Sequence, residues 1–539
     1  MSYESKLWHK HYDPGVPAEI SIPSLSLVDL LAQSVAAYGA STCIIQGGQE
    51  WSYAELDAAS NQIAHYLLSE GLAKGDRVGL LLPNTAEFVI GYYGILKAGG
   101  VVMALNPLYT PAEVQTLAAE SGIRFLILPD AAYEKMLTIK AQTAVEKMVV
   151  VGQAPDLSAA GDAAWDGLLA EQPAGPVSEV AVSPDDPAVF QYSGGTTGTP
   201  KCAVGLHRNL VANVTQFRQW LVNTHEGEET VLVAIPCYHV YGMVLGMNLA
   251  VRLGARMVLI DNPKDMDGLL RAIETYQATI FPGVPNLYAA INHYPAVLAG
   301  DYDLSSVKAC ISGSATLPMK VKREFEALTH GHLVEGYGLS EAPTATHCNP
   351  VLGENREGSI GLPLPGVDCR IVDLATGTQD VPVGEVGELI VRGPQVMQGY
   401  HQKPVETRQT LRQSWLFTGD VARMDPDGYF YLVDRKKDVI KVGGFQVWPS
   451  EVEAVIQQHP KVREVAVAGV LDEEGAEYPK AWVVLADGAQ TTPSEISAFC
   501  SIYLTAYKIP REIVFVESLP KTGVGKVLRR VLVAQDQKD

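Results

Sequence analysis

The sequence predicts an α/β protein with a large N-terminal part, a small β-rich subdomain and a small α+β C-terminal part, and three textures predict it. First, helical and strand patterns alternate through the first half, the order expected of a parallel sheet with covering helices. SYAELDAASNQIAHYLLSEG, from Ser52, has a serine cap, an acidic first turn, apolar residues at helical spacing and a terminal glycine. DRVGLLLP reads as the next short strand and TAEFVIGYYGILKAG as the next helix. Second, between about residues 361 and 431 the pattern changes to short β-rich runs, DCRIVDL, GELIVRG and GYFYLVD, separated by TGT and PDG turns. Third, after DRKKD come an amphipathic helix, PSEVEAVIQQHP, two strands, VREVAVAGVL and AWVVLAD, another helix and a basic end. A domain boundary is expected at DRKKD, giving units of 1–434 and 435–539.

Composition supports folding and narrows function. The chain has 539 residues, 47% of them apolar, enough for several cores. The net charge is −20, carried almost wholly before Asp434. An acidic chain is a poor match to nucleic acid, whose partners present a basic surface. Seven cysteines are scattered without a CxxC pair, which points to a reducing compartment. The opening MSYESKLWHKHYDPG lacks an apolar signal core, so the expected location is cytoplasmic. The most apolar stretch, residues 231–251, is broken by Pro236, His239 and Gly242 and is expected to be buried rather than membrane-spanning. No strongly amphipathic basic helix stands out. Transient membrane docking and a homodimer stay open.

Two loops have the chemistry of phosphate binding. AVFQY, a strand pattern ending at Tyr192, runs directly into SGGTTGTPK, where small residues and backbone amides can wrap an anion. The second is KTGVGK near the C-terminal end. Neither is a Walker A loop: Pro200 precedes Lys201 and Cys202 follows it, and Pro520 stands where the second loop would need its first glycine.

Taken with EGYGLSEA, WLFTGD and DRKKDVIKVGG, these five ordered segments resemble the adenylate-forming superfamily of acyl-CoA synthetases, luciferases and peptide adenylation domains. The resemblance covers residues 25–532. It implies layered α/β sheets, a β-barrel-like subdomain and a mobile C-terminal lid. It also implies ATP, Mg²⁺ and coenzyme A as cofactor and co-substrates, and a small carboxylic acid as substrate. In that family a carboxylate attacks the α-phosphorus of ATP to give acyl-AMP and pyrophosphate, and a thiol then displaces AMP.

Carried over residue by residue, the resemblance places Ser193, Gly194, Thr196, Thr197 and Lys201 over the β- and γ-phosphates. Lys526 would bridge the carboxylate and the α-phosphate. Glu341 would hold Mg²⁺, with Ser340 beside it as an α-phosphate donor. Tyr337 would stack on adenine next to Gly338, and Gly313 and Ser314 would line the adenine pocket. Asp420, following a strand-like WLF and a TG turn, would accept both ribose hydroxyls opposite Arg435. Lys437 would be the hinge, and Lys441, Gly443 and Gly444 would replace Lys526 at the site for the thioester step. His239 aligns with the gate between acyl pocket and nucleotide, and Tyr241, Gly242, Met243, Gly283, Val284 and Pro285 are acyl-pocket candidates.

Within the superfamily, SGSATLPMKVKREFE, GSIGLPLPG and VRGPQVMQGY look most like bacterial fatty acid CoA ligases of the medium- and long-chain type. Gln413 and Ser414 depart from the usual Asn/Asp-Gly pair, and Lys441 and Trp448 give a texture closer to coumarate-type ligases and luciferases. The expected activity is ATP-dependent acyl-CoA formation on an apolar acid. An aryl acid, a different final acceptor such as a carrier protein, and a non-catalytic acyl or nucleotide sensor are the alternatives.

Overall fold

The computed structural model describes residues 3–153, 157, 160–193, 201–442, 445–472, 476–522 and 525–536. The α/β expectation for the first half is met by an eight-stranded sheet. From its interior outward, Arg77–Leu80 pairs in parallel with Val101–Ala104 and Ile123–Pro129, and Lys147–Val151 and Ala163–Ala164 extend one side. On the other side Pro187–Ser193 joins in parallel, and Lys201–Leu206 and Gly399–Tyr400 close the edge antiparallel. The Gly/Thr-rich loop therefore connects two antiparallel strands, with Ser193 opposite Lys201. A Walker A loop would instead open a helix.

Helices cover this sheet where the sequence places them. Ser52 caps Tyr53–Ser69 with a full capping box through Glu55, and Thr85 caps Ala86–Lys97. A second layer combines the sheet of Thr230–Val233, Arg256–Leu259, Thr42–Gln46 and Gln49–Ser52 with that of Ala309–Ser312, His332–Leu339, Ala342–Cys348 and Leu362–Pro363. Bridges through Ile280 join the two. The apolar stretch at 231–251 becomes the strand Thr230–Val233 and the helical segments Gly242–Asn248 and Leu249–Leu253, with nearly every side chain buried. Among the described residues no helix is long and apolar enough to cross a membrane. All seven cysteines are buried free thiols.

The β-rich run forms a five-stranded antiparallel sheet of Asp368–Val372, Gly387–Arg392, Leu411–Arg412, Trp415–Met424 and Phe430–Arg435. Here one sequence expectation is corrected. The TG of WLFTGD is no turn: a single strand, Trp415–Met424, runs through it. Gly419 at φ 71° lies where its register against Gly387–Arg392 shifts, and such a bulge re-aims the next side chain. That side chain is Asp420.

Gln413 and Ser414 form the two-residue loop between Leu411–Arg412 and Trp415–Met424, with φ of 50° and 66°. Hairpin loops of this kind favour Asn-Gly because both positions are left-handed. Ser414→Gly is expected to raise stability by up to about 1 kcal/mol. It would be read as a higher denaturant midpoint at unchanged slope, and a lower midpoint would show that Ser414 is not strained.

After residue 438 the chain builds its own core. Ile440, Val447, Val452, Ile456, Val467, Val483, Ile496 and Cys500 pack together. Around them lie the helices Pro449–Ile456 and Pro493–Tyr503 and the sheet Val462–Leu471, Glu477–Leu485 and Glu512–Phe515.

Candidate active site

A cavity of about 680 Å³ lies where the eight-stranded sheet, the hairpin of residues 332–348, the β-rich subdomain and the C-terminal unit meet. Its wall includes Lys201, His239, Tyr241, Gly313, Ser314, the run from Tyr337 to Glu341, Arg435, Lys437 and Lys526. These residues come from across more than three hundred positions of chain. The fold thus gathers most of the described residues singled out from the sequence around one space.

The hairpin of His332–Leu339 and Ala342–Cys348 carries the EGYGLSEA segment, with Ser340 and Glu341 in its turn. Gly338 has no substitute: a Cβ there would sit 1.6 Å from the Thr344 carbonyl oxygen. Glu341 Oε1 accepts a 2.8 Å hydrogen bond from Tyr400 Oη, and its carbonyl accepts one from Met397 N–H at 2.9 Å. On the preceding strand Glu335 is buried and accepts the Leu317 N–H at 2.9 Å. That bond ties down the loop bearing Gly313 and Ser314. Burial pushes the Glu335 carboxyl up to about 8, against the lowering effect of Leu317 N–H, so this tie is largely neutral at pH 7.

Asp420 and Arg435 are cross-strand neighbours in Trp415–Met424 and Phe430–Arg435. Arg435 Nε lies 2.5 Å from Asp420 Oδ1, and Tyr337 Oη donates to Oδ2. Both oxygens of the expected ribose acceptor are therefore engaged. Each keeps a second lone pair, so further hydroxyls can be accepted only alongside these partners or after one of them moves. Tyr337 itself is buried, its ring edge-on to His347.

Lys526 ends a tight turn. Thr522 N–H donates to the Lys526 carbonyl at 2.8 Å, Lys526 N–H donates to Thr522 Oγ1 at 3.1 Å, and Gly525 takes φ 81°. The ammonium has its pKa pulled down to about 8, first by desolvation and then by Arg435, with Asp420 and Asp438 opposing. The residue remains exposed to the cleft, so water screens part of this effect. Lys437 is also lowered, by desolvation and by Arg435 and Lys201, while Asp438 and Asp420 work the other way. Desolvation is the larger cause at both lysines and Arg435 adds to it at each, so this part of the cleft crowds cations together.

On the opposite wall, His239 Nδ1 accepts the Tyr241 N–H at 3.2 Å, which puts the imidazole proton on Nε2. Desolvation lowers its pKa to about 4, so the ring is neutral. Of the acyl-pocket candidates, His239 and Tyr241 line the cavity and the others stand behind its wall. A Cβ on Gly242 would lie 2.4 Å from the Pro236 carbonyl oxygen, and Met243 is fully buried. Gly283 backs onto Tyr288 and donates its N–H to Tyr241 Oη at 3.1 Å. Val284 and Pro285 precede and begin the helix Pro285–Asn292, and neither lines the cavity.

Lys441 is also off the wall. It sits exposed on the hairpin strand Ile440–Val442, with its N–H on Glu477 Oε2 at 2.8 Å. Gly194, Thr196, Thr197, Gly443, Gly444 and the Ser193 side chain lie outside the described residues. Sequence reasoning missed many wall residues, Asn106, Gln191 and Tyr400 among the polar ones. Asn106 lies just beyond the strand Val101–Ala104, Gln191 lies within Pro187–Ser193, and Tyr400 reaches the site through a two-residue edge strand.

Among the described residues no three His, Cys, Asp or Glu side chains group as a metal cage. One carboxylate on the cavity wall, Glu341, still suits Mg²⁺, which is typically held by one or two carboxylates together with phosphate and water oxygens.

A cleft of this kind, cationic at its centre and flanked by an α/β body and a separately cored α+β unit, is built to hold a nucleotide beside a second anion. The chain belongs to the AMP-binding enzyme family, whose model matches residues 31–401, and the model of the AMP-binding enzyme C-terminal domain matches residues 451–526. It is 38% identical over 556 aligned positions to a long-chain-fatty-acid–CoA ligase of Bacillus subtilis, covering 99% of both chains. It is 36% identical to a ligase of the same name from Escherichia coli O6:H1, covering 98% of each. Among solved structures, an anthranilate CoA ligase in complex with anthranoyl-AMP matches with a TM-score of 0.85 and 28% identity, over 96% of this chain and 98% of that one.

Proposed function

We propose that the protein is an AMP-forming carboxylate–CoA ligase acting on a medium- or long-chain fatty acid. The observation that carries this reading is the convergence of Lys201, Glu341, Arg435 and Lys526 on one cavity that also has an apolar and aromatic side. In the first half-reaction a carboxylate oxygen forms a bond to the α-phosphorus of ATP while the bond to pyrophosphate breaks. Two anions must approach, and fixed cations lower that barrier most where charge builds up. In this reading Lys526 bridges the carboxylate and the α-phosphate, Lys201 meets the outer phosphates, and Asp420 with Arg435 holds the ribose. Bound Mg²⁺ would neutralise phosphate charge, with Glu341 as its protein ligand. In the second half-reaction the thiol sulfur of coenzyme A bonds to the acyl carbon and AMP leaves.

In this reading residues 435–539 form a lid. Lys437 is its hinge, and the exposed Lys441, with Gly443 and Gly444, enters the site only after the lid turns. Lys437→Pro is expected to slow thioester formation at least tenfold more than acyl-AMP formation. Equal loss in both halves would remove the hinge.

The overall test is mass spectrometry of the protein with ATP, Mg²⁺ and a pool of acids from acetate to stearate with benzoate and cinnamates, with and without coenzyme A. The expected product is a fatty acyl-CoA that forms only when coenzyme A is present. An aryl-CoA, the outcome favoured by the likeness to the anthranilate ligase, would change the substrate class. Acyl-AMP that never becomes a thioester would change the acceptor.

A further inference from the structure

Tyr400 has no role in the reading above, yet it touches two of the groups that reading depends on. Its strand, Gly399–Tyr400, pairs with the middle of Lys201–Leu206, Tyr400 opposite Ala203. The backbone is pinned on both sides: Tyr400 N–H donates to Thr407 Oγ1 at 2.9 Å, and His401 N–H donates to the Cys202 carbonyl at 2.8 Å. The residue is 9% exposed and forms part of the cavity wall. From this fixed base its hydroxyl donates to Glu341 Oε1 at 2.8 Å, and the Lys201 ammonium lies 5.2 Å from its ring centroid.

We propose that Tyr400 is a positioning residue that presets Glu341 through its hydroxyl and Lys201 through its ring face, ready for the nucleotide phosphates and their Mg²⁺. The proposal rests on the ligase reading. A phenol donating to a carboxylate is a charge-assisted bond and fixes one oxygen of Glu341. An aromatic face attracts an ammonium and limits the rotamers of a long side chain that otherwise loses entropy on being ordered. The two contacts use different parts of one residue, so substitution can separate them.

Tyr400→Phe keeps the ring and removes the hydroxyl, whereas Tyr400→Leu removes both. After thermal melts show both variants folded, ATP is titrated calorimetrically in EDTA and across a series of Mg²⁺ concentrations. Tyr400→Phe is expected to bind ATP in EDTA within about twofold of the parent protein, and to need roughly tenfold more Mg²⁺ for half its effect on ATP affinity. That shift should vanish in a Glu341→Gln background, because the two residues act as a unit. Tyr400→Leu should also weaken ATP binding in EDTA by roughly threefold to fivefold. Unchanged Mg²⁺ dependence in Tyr400→Phe, or the same shift with Glu341→Gln present, overturns the proposal while leaving the ligase reading intact. Failure of the parent protein to bind ATP under any condition removes both.

Discussion

Lys526→Ala is expected to slow acyl-AMP formation by roughly a hundredfold to a thousandfold, the effect of removing one preorganised charge from a developing transition state. Thioester formation from supplied acyl-AMP and coenzyme A should change by less than about threefold, because in the lid reading this lysine has left the site by then. A pH profile sharpens the test. The pKa of about 8 belongs to the free protein, where desolvation and Arg435 disfavour the ammonium. The charged form attracts the two anions and prevails below pH 8, so kcat/KM for ATP should fall as pH rises through 8. That parameter reports the free enzyme. Bound triphosphate restores the charge, so kcat should stay flat over the same range. The residual activity of Lys526→Ala should lack the descending limb. Equal loss in the two half-reactions, or a limb that persists in the variant, would remove Lys526 from the adenylation step.

How far the sequence revealed this molecule depended on the range of the interaction. Capped amphipathic helices such as Tyr53–Ser69 were legible because cap, acidic first turn and apolar spacing all lie within one segment. The β-rich subdomain was legible from alternation and turns, but its bulge at Gly419 was not. A TG pair reads as a turn locally, and only pairing with Gly387–Arg392 keeps it in a strand. The polar site residues followed from five motifs, each local in sequence. The apolar wall did not: Gly242, Met243 and Gly283 stand behind it, Gly242 packed against Pro236 and Gly283 against Tyr288, contacts that no local pattern announces. Tyr400 illustrates the limit: it meets Glu341, 59 positions away, and Lys201 through an edge strand too short to have a pattern.

Asp420→Ala is expected to have two separable consequences, because one buried carboxylate serves both the fold and the nucleotide. In the protein without nucleotide it would leave Tyr337 Oη without its acceptor and Arg435 without its partner. Breaking a buried pair in this way costs about 3–5 kcal/mol. The Arg435 side chain is 31% exposed and water can recover part of that loss, so about 2–3 kcal/mol is expected, read as a lower denaturant midpoint. Separately, losing two hydrogen bonds from ribose hydroxyls to a charged acceptor should weaken ATP binding at least a hundredfold. Asp420→Asn distinguishes the two. The amide keeps the shape and one acceptor oxygen, which Tyr337 can still use, but its NH₂ repels the guanidinium and cannot accept a hydroxyl. It should regain about half of the lost stability and little of the ATP affinity. If instead ATP binds Asp420→Ala as tightly as it binds the parent protein, then Asp420 serves only to hold Tyr337 and Arg435, and other residues bind the ribose. In that case Arg435→Ala should produce the larger loss of affinity, since the guanidinium would be what the carboxylate was positioning.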